Sequence, residues 1–477
     1  MRSLLALACV PLIACVPRGP TKTARPIALP AAFSDGLPGA SVAALDWRTF
    51  FADEALNRLI GEALANNYDL QIALQRIEIA RAQTTRTAGA RLPQIDMAVA
   101  ASLRRFGAYT MDGAGNASTD IRPGQRVPEH YPEVFAGLQA TWEADLWGRL
   151  GKLHGAARAR YLASIEGTHL VIAGLVAEVA RTYYELLAVD AMVEITAQSA
   201  EQQARALELM RVEMQAGRTT ALAVQQFAAQ VATTRALAAS LAHQQRGLEN
   251  QLTTLVGRLP STIARTDAAL ERDVPRSLAS GVPSDLLRNR PDIRAAELAV
   301  QASRYDVGAA RAAFYPRLRI TASLGYEAFD PRFLFATPES LAYGVLGGLV
   351  APLVNRSAIK AELAVANATQ LEAMVRYQQT VLRSFAEVST TLFRLGQLGD
   401  VVRQQREKLA AVRETVATAE ALFRAGRATY FEVLLAQQNT LQSRLELVGA
   451  LRDRHITRIQ LYRALGGGWQ GTLAVRP

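Results

Sequence analysis

The sequence contains an internal duplication, so the chain should fold as two copies of one unit. An early block recurs after 223 residues, and a later block recurs after 209 residues. The early pairs are 69–73 with 292–296 and 88–93 with 311–316, and the later pairs are 177–179 with 386–388 and 216–219 with 425–428. The first copy therefore carries 14 extra residues between its blocks. We place them in 107–132, where Gly-Ala-Gly-Asn and three prolines predict a loop.

The spacing of apolar residues changes after Pro93 in the first copy and after Pro316 in the second. Before each proline, intervals of three and four predict a helix, which Asn67 caps in the first copy and Pro291 opens in the second. After each proline, a period of two predicts strands. These lie at about 94–105, 133–145, 317–327 and 343–353.

Each predicted strand has about the length of a tilted strand that crosses a bilayer, and aromatic residues lie near the strand ends. Four strands cannot close a barrel, so a membrane barrel would need several chains, and three chains would supply twelve strands. The alternative is a pair of surface hairpins in a soluble protein.

The remaining helices carry the pattern of coiled coils. Ten positions from Val224 to Leu255, eight of them apolar, and five apolar positions from Leu409 to Phe423 keep a three-four spacing. They predict helical hairpins at about 150–257 and 357–466. Gly217 and Gly426 mark the two turns, since glycine readily enters the left-handed conformation that ends a helix. Arms of this length favour a tube or rod over the alternative, an ordinary bundle core.

The first residues are typical of a bacterial lipoprotein. A short basic start and an apolar run predict a signal peptide at 1–14, which ends in Leu-Ile-Ala before Cys15. Cys15 is the expected lipid-attachment residue; Cys9 is the rival, and an ordinary signal peptide is the alternative. The mature chain would then hold no disulfide. Beyond the leader, no uninterrupted run of eighteen apolar residues occurs, so we expect no transmembrane helix.

Several functional classes lack support in the sequence. The net charge is +10, but the arginines are scattered among glutamates, so we expect no nucleic-acid binding. The five histidines lack zinc-protease spacing, and 148–153 fails the spacing of a phosphate loop. We therefore predict a protein that is not an enzyme and has no cofactor apart from the covalent lipid on Cys15.

Separated blocks of the sequence resemble the TolC-like outer-membrane efflux family, in the lipoprotein branch that serves resistance-nodulation-division pumps. The resemblance runs from about Trp47 to Trp469 and is carried by 47–51 with 67–70, 142–149, 290–297 and 315–318. It implies a mainly α fold with a membrane β-barrel. In this fold a long α-helical coiled-coil barrel joins four strands per chain, and a trimer forms a 12-stranded barrel.

The resemblance also implies a domain organisation and partners. The expected segments are a lipidated linker at 15–46, a first repeat at 47–258, a linker at 259–283 and a second repeat at 284–477. The homotrimer would be an exit duct in the outer membrane that extends into the periplasm. It would meet a periplasmic adaptor and an inner-membrane pump. The competing hypothesis is a lipid-anchored periplasmic adaptor or structural protein with coiled coils.

The hairpin turns stand where the family's adaptor-contacting tips should be. The candidate contact residues lie at or beside the two turns. They are Met214, Ala216, Gly217, Arg218 and Thr219 in the first copy, and Phe423, Ala425, Gly426, Arg427, Thr429 and Phe431 in the second. Thr429 and Glu432 have the spacing of a capping box, whereas either Thr219 or Thr220 could begin the helix after the first turn.

Overall fold

A computed structural model describes residues 27–37, 39–265, 269–352 and 356–471. Within these ranges the chain divides into two compact units. One unit comprises 79–161 and 299–374 and contains the strands. The other comprises 27–78, 162–298 and 375–471 and is helical. Cys15 and the predicted signal peptide lie outside the described residues.

The strand-containing unit is built on one antiparallel sheet. Its strands are β1 (Gln94–Arg104), β4 (Tyr131–Ala144), β5 (Arg317–Ala328) and β6 (Leu341–Val350), in the order β1-β4-β5-β6. All four predicted strands are confirmed, although β6 begins and ends two to three residues earlier than expected. The central pairing of β4 with β5 joins the first copy of the duplication to the second.

One face of this sheet is apolar across all four strands. The register aligns Met97, Leu138, Leu324 and Tyr343 in one row. The adjacent row holds Ile95, Ala140, Ala322 and Val345. The opposite face of β1, β4 and β5 carries Asp96, Gln139 and Ser323 at the matching positions. The alternation that predicted the strands therefore corresponds to two faces of different polarity.

The segment 107–132 is more ordered than the predicted loop. It contains helix α4 (Met111–Ser118) and a two-stranded ribbon of β2 (Asp120–Arg122) and β3 (Gln125–Arg126). The Thr110 hydroxyl caps α4 by accepting a hydrogen bond from the Gly113 backbone amide at 3.1 Å. The prediction of a loop was wrong here because such a cap stabilises a helical turn even in a glycine-rich stretch.

The helices otherwise follow the duplication. Short helices α1 (Trp47–Phe51), α2 (Glu54–Asn66) and α7 (Leu286–Asn289) accompany two matching sets. The first set is α3 (Tyr68–Gly89), α5 (Arg149–Gln215) and α6 (Ala221–Leu255); the second is α8 (Pro291–Ala312), α9 (Ser357–Arg424) and α10 (Tyr430–Ala464). Asn67 caps α3 as predicted, since its side-chain oxygen accepts from the Leu70 amide at 3.0 Å. Pro291 opens α8.

The coiled-coil spacing is confirmed by burial. None of the ten three-four positions from Val224 to Leu255 is exposed, and the same holds from Leu409 to Phe423. The main core of the helical unit gathers large side chains such as Trp47, Tyr183 and Tyr462 from α1, α5 and α10. Apolar burial of this extent is the dominant favourable term in folding.

Helix α5 contains an 18-residue stretch with a mean hydropathy of 1.4, long and apolar enough to cross a membrane. The expectation that the chain has no such helix is therefore wrong as far as length and composition are concerned. Part of α5 lies in the main core, where Ile172, Val179 and Leu186 are fully buried against the rest of the protein. Packing inside the protein accounts for the apolar character of that part.

One histidine of the helical unit is buried in the core. His455 stacks on Tyr184 at 4.3 Å, and its Nε2 lies 3.0 Å from the Leu270 carbonyl. Because a carbonyl only accepts, Nε2 must carry the proton of the neutral ring. Burial lowers the pKa of His455 to about 4, opposed in part by the Leu270 hydrogen bond. This histidine therefore acts as a neutral core residue.

Candidate functional sites

The two hairpin turns have the same backbone geometry. Gly217 and Gly426 adopt φ values of +70° and +68°. In the first turn the Arg218 amide donates to the Glu213 carbonyl at 2.9 Å, and in the second the Arg427 amide donates to the Leu422 carbonyl at 2.9 Å. Each is the six-to-one hydrogen bond of a Schellman motif, which needs a left-handed residue where the glycine stands.

The helices that follow the turns begin with threonine caps. Thr220, rather than Thr219, caps α6, with its hydroxyl 3.3 Å from the Ala223 amide. At the start of α10 the Glu432 carboxylate accepts from the Thr429 backbone amide, and it also accepts from the Thr429 hydroxyl at 3.0 Å. The predicted capping box is thus present in the second copy.

The ends of the two hairpins pack against each other. Leu207, Met210 and Phe227 of the first hairpin form a buried cluster with Leu434 of the second. Phe423 lies partly buried between this cluster and a smaller one around Ala419 and Val433. Phe423 therefore takes part in the chain's own packing, and its role as an adaptor contact stays a prediction. Met214 and Phe431 are exposed.

A groove of about 1050 Å³ lies between the hairpin ends. Its apolar surface comes from Met210, Phe227, Phe423, Tyr430 and Val433, among others. Its charged rim comes from Arg205, Arg218, Arg424, Arg444, Glu213 and Glu420. The groove is therefore apolar at its floor and carries more positive than negative side chains.

The charges around the groove are available for new partners. Arg218 pairs with Glu213 at 3.6 Å and Arg424 pairs with Glu420 at 3.6 Å, and both arginine side chains are more than 70% exposed. Exposed pairs of this kind contribute little stability and exchange easily. Burial lowers the pKa of Arg444 below the usual arginine value, and nearby Arg413 lowers it further.

The structure divides the predicted tip residues into two sets. Arg218, Phe423 and Gly426 line the groove. The others surround the turns without lining it; they are Met214, Ala216, Gly217, Thr219, Ala425, Arg427, Thr429 and Phe431. The sequence interpretation missed Arg205, Met210 and Arg444, which lie 12, 7 and 18 residues from the nearer glycine. Their intervals of three and four from other lining residues were the available signal.

Aromatic side chains cluster at both ends of the sheet. Phe106 stacks on Tyr131 at 5.8 Å at one end, and Trp147 stacks on Tyr315 at 5.0 Å at the other. The Trp147 indole donates to the Pro316 carbonyl at 2.7 Å. This arrangement agrees with the prediction of aromatic residues at the strand ends. In the described ranges no cluster of three His, Cys, Asp or Glu side chains could hold a metal ion.

Comparison with known proteins agrees with this architecture. The family described as Outer membrane efflux protein matches residues 59–258 and 282–467, the two copies of the duplication. Cation efflux system protein CusC of Escherichia coli O6:H1 is 30% identical over 427 residues, which cover 89% of this chain and 88% of the relative. Outer membrane protein OprJ of Pseudomonas aeruginosa is 31% identical over 436 residues, with coverages of 90% and 88%.

A solved structure of CusC has the same fold. It superposes with a TM-score of 0.79 at 28% identity and covers 94% of this chain and 99% of that chain. The predicted combination of long helices with a few strands is thereby confirmed. The chain belongs to the outer membrane efflux protein family, and it is an efflux channel of the bacterial outer membrane.

Proposed function

We propose that three copies of this chain form the exit duct of a three-part efflux pump. The twelve strands would close a barrel in the outer membrane, and the helices would continue it into the periplasm. The hairpin ends would bind a periplasmic adaptor, which connects to an inner-membrane pump of the resistance-nodulation-division class. The carrying observation is the pair of matching turns with a shared groove between them.

The edges of the sheet support the trimer. Within the described sheet, β1 and β6 each pair on one side only. Unpaired backbone groups at a strand edge cannot face lipid, because each would lack a hydrogen-bond partner. Pairing β6 of one copy with β1 of the next would satisfy both edges, and it would keep the apolar face continuous around the barrel. The same apolar face argues against a purely periplasmic adaptor.

The groove supports binding of an adaptor at the tips. An amphipathic helix could bury its apolar face on Leu209, Phe423 and Tyr430, while its carboxylates pair with Arg205 and Arg424. A channel that stayed open to the periplasm would leak. We therefore infer that the hairpin ends close until the adaptor engages them.

Changing the turn is expected to impair export without loss of the channel. Gly426→Val places a β-branched residue at φ +68°, a strain of about 1–3 kcal/mol. Arg427→Asp reverses an exposed charge beside the same turn. Both variants should keep normal trimer levels and become more sensitive to exported drugs. Semi-native gels of outer membranes and drug susceptibility in the same strains measure the two quantities.

The matched control is Gly247→Val, at an exposed position inside α6 where no atom lies within 4 Å of the added Cβ. It should leave both trimer level and susceptibility unchanged. Normal export by both tip variants at normal trimer levels would mean that the partner docks elsewhere.

We also propose that Cys15 carries a lipid that holds the N-terminus at the membrane. The Leu-Ile-Ala sequence that precedes it supports this assignment, and one lipidated residue together with the barrel suffices for stable anchoring. Mass spectrometry of the mature protein should find an acylated N-terminal Cys15. Acylation of Cys9, or an unmodified start elsewhere, would contradict the proposal.

A further inference from the structure

A second cavity, of about 490 Å³, lies in the helical unit beside the segment 273–276. Four arginines line it, namely Arg276, Arg403, Arg406 and Arg454, together with Asp273 and Glu407. The volume is within the range of pockets that hold small molecules. None of these residues belongs to the hairpin turns or to the groove between them.

Arg454 is the buried member of the four. It is 7% exposed, and its guanidinium donates to the Val274 carbonyl and lies 3.4 Å from the Asp273 carboxylate. Its Nε is buried and has no hydrogen-bond partner. A guanidinium has five N–H donors, so the acceptors present do not satisfy this one.

The surroundings make the charge of Arg454 costly. Burial lowers the pKa of Arg454 below the usual arginine value; Asp273 opposes this, while Arg406 and Arg276 lower the pKa further. A negatively charged group in the cavity would offset the desolvation of the Arg454 guanidinium and its repulsion by the neighbouring arginines.

The other arginines are incompletely neutralised. Arg276 and Arg403 share a single oxygen of Asp400, at 3.2 and 3.0 Å. No carboxylate of the described chain lies within ion-pairing distance of Arg406. Arg276 lies close against α9 at Gly399, where a Cβ would come within 3.1 Å of the Arg276 side chain. The missing side chain at Gly399 therefore lets Arg276 reach the cavity wall.

Asp273 is the displaceable member of the set. Its side chain is 88% exposed, so it can rotate into solvent at little cost. Once Asp273 has rotated away, Asp400 and Glu407 are the two carboxylates left to balance the four guanidinium groups. Arginine forks match the geometry of phosphate and carboxylate groups.

We propose that this cavity binds an organic oxyanion with two or more negative charges, carried by phosphate or carboxylate groups. The ligand would replace Asp273 at the Arg454 guanidinium and supply Arg406 with an acceptor. The site is separate from the adaptor-binding groove proposed above and does not depend on it.

Binding can be measured by calorimetric titration of the full-length protein in detergent. The probes are inorganic phosphate, glycerol 3-phosphate and citrate, each compared with chloride at equal ionic strength. The protein should bind at least one probe saturably. Preference for glycerol 3-phosphate over inorganic phosphate would indicate a phosphate ester, and preference for citrate a polycarboxylate.

Variants separate a ligand site from a structural cluster. Arg403→Gln with Arg406→Gln should weaken binding by about tenfold or more, because charge-assisted hydrogen bonds are lost. Arg413→Gln removes one positive charge from an exposed position on the same helix, and it should leave affinity unchanged. Asp273→Asn should bind more tightly than the unmodified protein, since it removes the competing carboxylate.

The proposal is overturned if the unmodified protein binds no probe saturably. It is also overturned if the double variant and Arg413→Gln weaken binding equally, or if Asp273→Asn binds no more tightly.

Discussion

Gly325→Val is expected to prevent normal assembly of the channel, with a cost above about 3 kcal/mol. Gly325 on β5 faces Gly137 on β4 in the central pair of the sheet. A Cβ at Gly325 would lie 2.6 Å from the Ala136 carbonyl oxygen and 2.6 Å from the Gly137 Cα. Both are backbone atoms, so the strands themselves would have to separate. Trimer level in outer membranes, read on semi-native gels, measures the effect.

The approach is close from the other strand as well. A Cβ at Gly137 would lie 2.5 Å from the Gly325 Cα and 2.9 Å from the ring of Phe135. Because the collision occurs at Cβ, Gly325→Ala should be nearly as damaging as Gly325→Val. A normal trimer level for Gly325→Ala together with a reduced level for Gly325→Val would contradict this prediction, because it would show that β4 and β5 can move apart to accommodate a Cβ.

Gly347→Val is the matched control. Gly347 lies on β6 opposite Ile320, on the apolar face, and no atom lies within 4 Å of an added Cβ. The added side chain would suit lipid, so assembly should be normal. If Gly325→Val and Gly347→Val lose trimer equally, the cause is the presence of a valine in the sheet. The close approach of Gly325 and Gly137 would then not be the cause.

Arg290→Met is expected to destabilise the helical unit by about 3 kcal/mol. The Arg290 side chain is 11% exposed and binds Asp292 through two hydrogen bonds of 3.0 and 2.7 Å. It also donates to Glu387 at 2.9 Å and to the Ala464 carbonyl at 2.7 Å. Burial by itself lowers the pKa of Arg290. The hydrogen bonds and negative charges of Asp292 and Glu387 outweigh this effect and raise the pKa above its usual value. Methionine keeps the apolar stem and leaves these acceptors without their donor.

The expected cost is at the lower end of the range for breaking a buried ion pair, because Asp292 and Glu387 are partly exposed. The midpoint of thermal unfolding, followed by helical circular dichroism in detergent, measures it. Arg463→Met is the control, since Arg463 contacts the same Glu387 at 2.8 Å but is 46% exposed. It should cost less than about 1 kcal/mol. Equal shifts in the two variants would contradict a special role for Arg290.

The order and type of the long elements follow from the sequence alone. The separation of 223 residues recurs between α3 and α8, which have 22 residues each. The separation of 209 recurs between α6 and α10, which have 35 residues each. Asn67, Gly217 and Gly426 marked helix ends correctly. These features depend on local spacing and on backbone preferences of single residues, so they are visible in the sequence.

Which elements contact each other depends on long-range packing, which the sequence pattern does not show. The pairing of β4 with β5, the contact of Arg290 with the Ala464 carbonyl, and the packing of Phe423 beside the cluster around Met210 all join segments that lie far apart in the sequence. The groove between the hairpins and the arginine-lined cavity were likewise not predicted from the sequence. Each depends on side chains that long-range packing brings together, and sequence spacing reports the face of a helix but not its neighbour.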